Sequence, residues 1–224
     1  EMIEEIEKKY GNIINNKEKP DLFENLRKVG ENEQYFCELI RNDSIDEFVA
    51  YVNKNNLSLS SLIEKSIFET NPLLIKRELN LIEYSAFFGS IQIFRYLFLS
   101  GANLTPSMWE YTMHSHNPEL IHILEENRVL NTSHQKSLFE SIKAYDIDVT
   151  KYIHEIYLSD KNKEDIDIIA KNLHYYNFLY LPENFVVSSR IFYELCKYDY
   201  CSLVELFIKE PNLNINKFTI CDLK

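Results

Sequence analysis

The sequence predicts an all-α solenoid of about seven short helix-pair repeats, with a helical cap at its N-terminal end. Only 4 Gly and 6 Pro occur among the 224 residues, which disfavours a β-rich fold with many tight turns. Residues that cap helices recur at intervals of about 27, and apolar residues follow each cap at helical spacing. A helix pair of that length cannot bury its own apolar face, so stacked copies are expected to share one core.

Residues 1–34 differ from the rest and are predicted to form the helical N-terminal cap. Apolar residues follow helical spacing in two runs, Met2, Ile3, Ile6, Tyr10 and Ile13, and then Leu22, Leu26 and Val29. The end of a solenoid needs a unit with a polar outer face, and this segment fits that role. A coiled-coil arm for dimerisation is the alternative, which is disfavoured because the pattern covers very few heptads.

Seven copies of the repeat are predicted within residues 35–216. Their caps are Ser44, Asn71, Ser90, Asn117, Asp146, Asn172 and Tyr200. Pro follows two of these caps, in the helical turn where its missing N–H costs nothing. The interval between the second and third caps is shorter than the other intervals. The sixth copy is a weak match, because Glu164 occupies a first-helix position that is apolar in the other copies. Residues 217–224 are predicted to be a C-terminal tail or the start of a further repeat.

One copy carries a recognisable pattern. The segment GSIQIFRYLFLSGAN (Gly89–Asn103) resembles the second half of an ankyrin repeat, and YSAFFG (Tyr84–Gly89) is similar to its first helix. With residues 68–72, 116–127 and 198–200, the chain resembles a divergent ankyrin-type domain family of unknown function that is expanded in certain protists. The resemblance implies further ankyrin repeats beyond this domain, which the ending Asn212–Asn216 would suit. The Thr-Pro-Leu-His of regular ankyrin repeats is replaced by NLIE (Asn80–Glu83). Most copies span about 27 residues instead of the roughly 33 of an ankyrin repeat, so β-hairpin fingers are expected to be short or absent.

Composition disfavours several classes of partner. Lys and Arg number 24 against 35 Asp and Glu, which gives a formal net charge of −11 at pH 7. That field repels phosphate backbones, and no stripe of Lys and Arg interrupts it, so neither nucleic acid nor an anionic membrane is an expected partner. No apolar run approaches the roughly 20 residues of a membrane span, so membrane insertion is not expected.

The four cysteines suggest a reducing compartment. The spacing of the four cysteines gives no Cys-x-x-Cys pair and suggests no disulfide framework; they are Cys37, Cys196, Cys201 and Cys221. Cys37 and Cys196 lie in apolar helical stretches, so they are predicted to be buried free thiols. The predicted location is cytoplasmic.

The sequence contains no motif for catalysis, a cofactor or a metal. His114, His116 and His122 form a local histidine cluster, but no Cys or carboxylate completes a ligand set. Neither a phosphate-binding glycine loop nor a nucleophile elbow is present. The chain is therefore predicted to be neither an enzyme nor a cofactor or metal carrier, and a deep pocket with converging ionisable groups would argue otherwise.

The predicted function is recognition of a protein partner on the concave face of the inner helices, as a scaffold or adaptor. Phe87 and Phe88 fall where the ankyrin pattern is variable and often faces that surface, and two adjacent exposed rings would anchor a partner. Burial of one ring against a shortened neighbouring repeat is the alternative. The polar residues predicted to surround the rings are Glu83, Glu110, His114 and Lys143. The alternative function is a structural component of a large cytoskeletal or similar assembly.

Overall fold

A computed structural model of the chain describes residues 20–157, 164–181 and 188–209. Most of these residues are helical, and their strands are two segments of two residues each, so the all-α prediction is confirmed. The predicted helix over residues 2–13, Cys221 and the segments 212–216 and 217–224 lie outside the described residues. The chain divides into two compact units, unit 1 (residues 1–130) and unit 2 (residues 131–224).

Unit 1 is built from helices with one small strand pair. In chain order its elements are α1 (Pro20–Val29), α2 (Tyr35–Arg41), α3 (Ile45–Asn55), β1 (Leu62–Ile63), α4 (Pro72–Ile75), β2 (Leu79–Asn80), α5 (Leu81–Phe88), α6 (Ile91–Leu99), α7 (Met108–Thr112) and α8 (Pro118–Glu126). The pairs α2–α3, α5–α6 and α7–α8 are helix hairpins. Their first helices lie side by side, with α5 between α2 and α7.

The segment between α3 and α5 is not a helix pair, so the prediction of a second copy there is wrong. Ile63, which lies where the first helix of such a copy would run, is in β1, and β1 pairs antiparallel with β2. Asn71 does cap a helix, because its side chain accepts a hydrogen bond from the Leu73 amide, but α4 has only four residues. Since α2 contacts α5 directly, this segment is an insertion between neighbouring pairs. The insertion also accounts for the short interval between the predicted caps Asn71 and Ser90.

Unit 2 contains five described helices. They are α9 (His134–Lys143), α10 (Ile147–Tyr157), α11 (Glu164–His174), α12 (Ser189–Lys197) and α13 (Cys201–Ile208). The pairs α9–α10 and α12–α13 are hairpins, and α11 lies against both α9 and α12. The buried residues that join α11 to α12 are Ile169, Ala170, Leu173, Ile191 and Leu195.

The predicted cap Asn172 is wrong. It lies inside α11 and is fully buried, with its Nδ2 donating a hydrogen bond to the carbonyl of Ile168. The turn of this copy comes later, at Tyr176 and Asn177, where Tyr176 has a φ of 54°. The shift places the whole of Ile166–Leu173 in the first helix of the sixth copy.

The turn inside each hairpin repeats one backbone geometry. A residue with positive φ ends the first helix, and the predicted cap follows it; these residues are Asp43, Gly89, His116, Tyr145 and Asp199. At Gly89, a Cβ atom would lie 2.5 Å from the carbonyl oxygen of Ser115, so this position requires glycine for space as well as for its φ of 71°.

Neighbouring turns are joined by an equivalent hydrogen bond in three places. The donors are the residues that follow the positive-φ position: Ser90 to the carbonyl of Ile40, Asn177 to that of Ile142, and Tyr200 to that of Leu173. Each acceptor lies three residues before the positive-φ residue of the adjacent first helix. Each of these carbonyls also accepts the amide hydrogen bond of its own turn, so the side chain adds a second donor and fixes the register between neighbours.

Candidate functional site

The structure buries one of the two predicted anchor rings. Phe87 is 8% exposed, because α7 lies against α5 and the His114 ring stacks on it at 4.9 Å between centroids. Phe88 is half-buried and contacts the rings of Tyr84 and Phe87. The expectation of two adjacent exposed aromatic side chains is therefore wrong, and burial against the neighbouring repeat is what the structure contains.

Glu83 is likewise an interior residue and does not lie at the rim of a binding face. Its carboxylate is 2% exposed and accepts hydrogen bonds from Arg77 (2.6 and 3.1 Å), Ser107 (2.9 Å) and Thr105 (3.1 Å). It also accepts from the Asn80 amide, which completes a capping box at the start of α5. Burial alone would raise the pKa of Glu83, but the hydrogen bonds from Arg77 and Ser107 outweigh it and lower the pKa.

The other predicted residues are placed as follows. His114, which stacks on Phe87, and Glu110, in the first turn of α7, are partly exposed residues of unit 1. Lys143 belongs to unit 2, at the end of α9, where its Nζ lies 3.4 Å from a carboxylate oxygen of Glu140. Unit 1 therefore brings together Glu83, Phe87, Phe88, Glu110 and His114 in and around the contact of α5 with α7.

Of the thiols in the described residues, one is buried and two are exposed. Cys37 is fully buried in α2, as predicted, and burial raises its pKa to about 12, so it stays protonated at neutral pH. Cys196 was also predicted to be buried, and that prediction is wrong: Cys196 and Cys201 are both exposed free thiols.

A groove in unit 2 is the most developed candidate site among the described residues. It has a volume of about 430 Å³ and is formed by α9, α11 and α12; we call it the α11 groove. Its lining residues are Phe139, Asp167, Ala170, Lys171, His174, Arg190, Glu194, Lys197 and Tyr198. Three helices thus contribute side chains to one groove.

Cations and aromatic rings alternate along this groove. The Lys171 ammonium lies 5.2 Å from the ring centre of Phe139 and 5.9 Å from that of Tyr175. The His174 ring lies 4.5 Å from the Tyr175 ring and 4.9 Å from the Tyr198 ring. At the end of this series, the Lys197 ammonium lies 4.8 Å from the centre of the Tyr198 ring. Such cation–π contacts hold long basic side chains in place and leave their charged ends accessible.

Two ion pairs cross or border the same groove. Arg190 on α12 pairs with Asp167 on α11 at 2.6 Å, and Lys197 lies 3.6 Å from Glu194 one helical turn away. Lys171 has no carboxylate within ion-pair distance among the described residues. The groove therefore holds one basic side chain whose charge is balanced by no adjacent acid.

The surroundings of His174 favour its neutral form. Burial, followed by the positive charges of Lys171 and Lys197, lowers its pKa below the ordinary value, while Glu194 opposes this. Its Nδ1 lies 2.6 Å from the Tyr198 hydroxyl, a hydrogen bond that joins α11 to the end of α12. The imidazole therefore acts as a polar, uncharged wall of the groove.

The described residues offer neither a metal site nor a membrane-spanning helix. They contain no group of three or more His, Cys, Asp and Glu side chains that could hold a metal ion. None of the described helices combines the length and the apolar character that crossing a membrane requires. No family model, curated protein or solved structure matches the chain.

The α11 groove was not predicted from the sequence. Lys143, one of the predicted binding residues, lies near it but does not line it. The cause of the miss is the wrong cap at Asn172, which assigned Lys171 and His174 to a turn instead of the inner helix. A usable signal was present in the sequence, because His174-Tyr175-Tyr176 and Lys197-Tyr198 interleave basic and aromatic residues at two neighbouring helix ends.

Proposed function

We propose that the chain is a non-catalytic protein-recognition module, a scaffold or adaptor, that binds a segment of a protein partner in the α11 groove. The observation that carries this proposal is the groove to which three helices contribute aromatic and basic side chains. Aromatic residues and Arg supply most of the binding energy at protein interfaces, and here they line a shaped groove.

The proposal includes the architecture that suits this role. We propose that the hairpins within each unit stack as ankyrin-like repeats of an α-solenoid. The side-by-side first helices, the repeated positive-φ turns and the bonds between neighbouring turns support it. In such a stack the inner helices present a preformed surface, so binding costs little ordering entropy. A cytoplasmic location is part of the same proposal, and the exposed thiols Cys196 and Cys201 suit a reducing compartment.

Affinity capture from native extract tests the recognition proposal. The wild-type chain is compared with Tyr198→Ala, which removes a groove ring, and with Tyr35→Ala, which removes an exposed ring in unit 1. We expect a discrete partner to be captured by the wild type and by Tyr35→Ala and to be lost with Tyr198→Ala, provided that circular dichroism finds all three equally folded. A partner retained by Tyr198→Ala at wild-type yield would contradict the groove as the binding site.

The alternative, a structural component of a large assembly, draws support from a different element. No residue of α13 is buried within the described structure, and Leu206 and Ile208 are about half exposed. An apolar helix of this kind suits a permanent contact between subunits. Co-sedimentation of most of the chain with filaments, in place of a soluble discrete partner, would favour this alternative.

A further inference from the structure

We infer that the α11 groove accepts a single carboxylate, from a glutamate or aspartate side chain of the bound peptide segment. This inference rests on the proposed function and specifies its partner. The carboxylate is expected to lie against the Lys171 ammonium, with its aliphatic stem against Phe139 and Ala170.

The charges that line the groove support a monoanion. Lys171, Lys197 and Arg190 are opposed by Asp167 and Glu194, and each of these acids already lies beside its own cation. One positive charge remains, that of Lys171. One carboxylate balances it, whereas a doubly charged phosphate would leave the groove with a net negative charge.

The position of Lys171 makes this charge available to a ligand. Its ammonium lies over the rings of Phe139 and Tyr175, so part of its hydration shell has already been replaced by aromatic surface. A carboxylate that approaches it therefore displaces less water than at a fully hydrated lysine, and the resulting charge-assisted hydrogen bond is stronger.

The acidity of the whole chain does not prevent such an encounter. The Debye length at physiological ionic strength is about 8 Å, so charges beyond the groove are largely screened at contact distance. The charged and polar groups nearest the incoming carboxylate are then Lys171, Lys197 and His174, with Asp167 and Glu194 each beside its own cation. The polar tip of the ligand meets cations and hydrogen-bond donors, while Phe139 and Ala170 supply the apolar part of the lining.

His174 provides an internal reporter of the bound charge. The groups that face it are Lys171 on its own helix, Lys143 on α9, and Lys197, Glu194 and the Tyr198 hydroxyl from α12. A carboxylate beside Lys171 opposes the cations that hold the pKa of His174 down, so binding should raise that pKa. A neutral ligand of the same shape should leave it unchanged.

The test is a selection from a random peptide display library on the complete chain, with Tyr198→Ala as the counter-selection. We expect enriched peptides to share one Glu or Asp, and a Glu→Gln or Asp→Asn change in the peptide to weaken binding about tenfold. Lys171→Gln in the protein should weaken the same peptides to a similar extent, whereas Lys54→Gln, an exposed lysine of unit 1, should not. Peptide binding should also raise the pKa of His174, measured by NMR.

The other outcomes separate this inference from the proposed function. Enriched peptides that are neutral or basic and compete for the groove would overturn the carboxylate inference and leave the recognition proposal standing. A phosphoserine in place of the shared acid that binds more tightly would likewise overturn it in favour of a phosphate site. No enrichment over Tyr198→Ala would overturn both.

Discussion

Helices α5 and α11 each pack against two helices that begin a hairpin, α2 and α7 for α5 and α9 and α12 for α11, yet their surroundings differ. Every residue of Leu81–Phe87 in α5 is buried, because α2, α6, α7 and β2 all contact it. In α11, Ile168, Ile169 and Leu173 are buried while Lys171 and His174 line an open groove. A mostly apolar helix that neighbours cover on all sides becomes core, and a helix with an uncovered polar face keeps that face for ligands. The pattern of each helix and the elements packed against it together decide whether it supports the fold or the site.

The largest expected effect tests this contrast directly with two Phe→Ala changes. Phe87→Ala should lower the free energy of unfolding of unit 1 by about 3 kcal/mol, because it empties a buried site under the His114 ring. Phe139→Ala, in the half-buried groove lining, should cost about 1 kcal/mol or less. Urea unfolding followed by the fluorescence of Trp109, the only tryptophan, reports unit 1, and circular dichroism reports the whole chain. Equal costs at the two positions would remove the contrast.

The turn after α5 offers a second matched pair. Gly89→Ala places a Cβ 2.5 Å from the Ser115 carbonyl oxygen, whereas at Gly101 the same atom meets nothing within 4 Å. Both residues have positive φ, so each change carries about 1 kcal/mol of backbone strain. Gly89→Ala should cost about 1–2 kcal/mol more than Gly101→Ala, measured by the midpoint of urea unfolding. A similar midpoint for the two variants would mean that α7 is not held tightly against this turn.

The buried carboxylate in α5 gives a pH-dependent prediction. The pKa of Glu83 is lowered in the folded state, so its stabilising effect is present above the unfolded pKa of about 4.3 and is lost as pH falls through the folded value. Glu83→Gln should cost about 2 kcal/mol at pH 7 and progressively less below pH 4, since the ion pair with Arg77 is then absent in both proteins. Glu110→Gln is the partly exposed control, and it should change stability by no more than about 0.5 kcal/mol. A Glu83→Gln cost that does not change with pH would contradict the role of the charge.

The smallest effect concerns the electrostatics of the groove. His174 should titrate below the ordinary histidine pKa of about 6.5, and Lys197→Gln should move its midpoint upward, because one of the cations that disfavour imidazolium is removed. NMR titration of the imidazole carbon-bound protons measures this shift. A midpoint that is unchanged in Lys197→Gln would place that ammonium away from His174 in solution.

Local chemistry was the part of the fold that the sequence could predict. Asn117 and Asp146 cap their helices with side-chain hydrogen bonds, whereas Ser44 and Ser90 occupy the predicted N-cap positions without a side-chain cap hydrogen bond. These features depend on a few adjacent residues, so the sequence alone reveals them. The insertion between α3 and α5 was mistaken for a repeat because Asn71-Pro72 has the same local signal as a true cap.

The candidate site was less accessible to sequence reasoning, since it depends on contacts between copies. Phe87 has the pattern of an inner-face residue, and only the approach of α7 with His114 determines that it is buried. Lys171 and His174 can be assigned to the groove only once the register of α11 is known. Asn172 had suggested a different register, although it is an interior residue whose side-chain amide donates a hydrogen bond within α11. Buried polar residues of this kind imitate caps in a sequence.

Amide chemical-shift mapping of a selected peptide on the complete chain tests the central claim most directly. If the α11 groove is the recognition surface, the peptide should shift the amides around Lys171, His174, Lys197 and Tyr198, and leave those around Phe87, Phe88 and His114 unchanged. The reverse pattern, with changes concentrated at α5 and α7, would contradict the contrast between a closed α5 and an open α11.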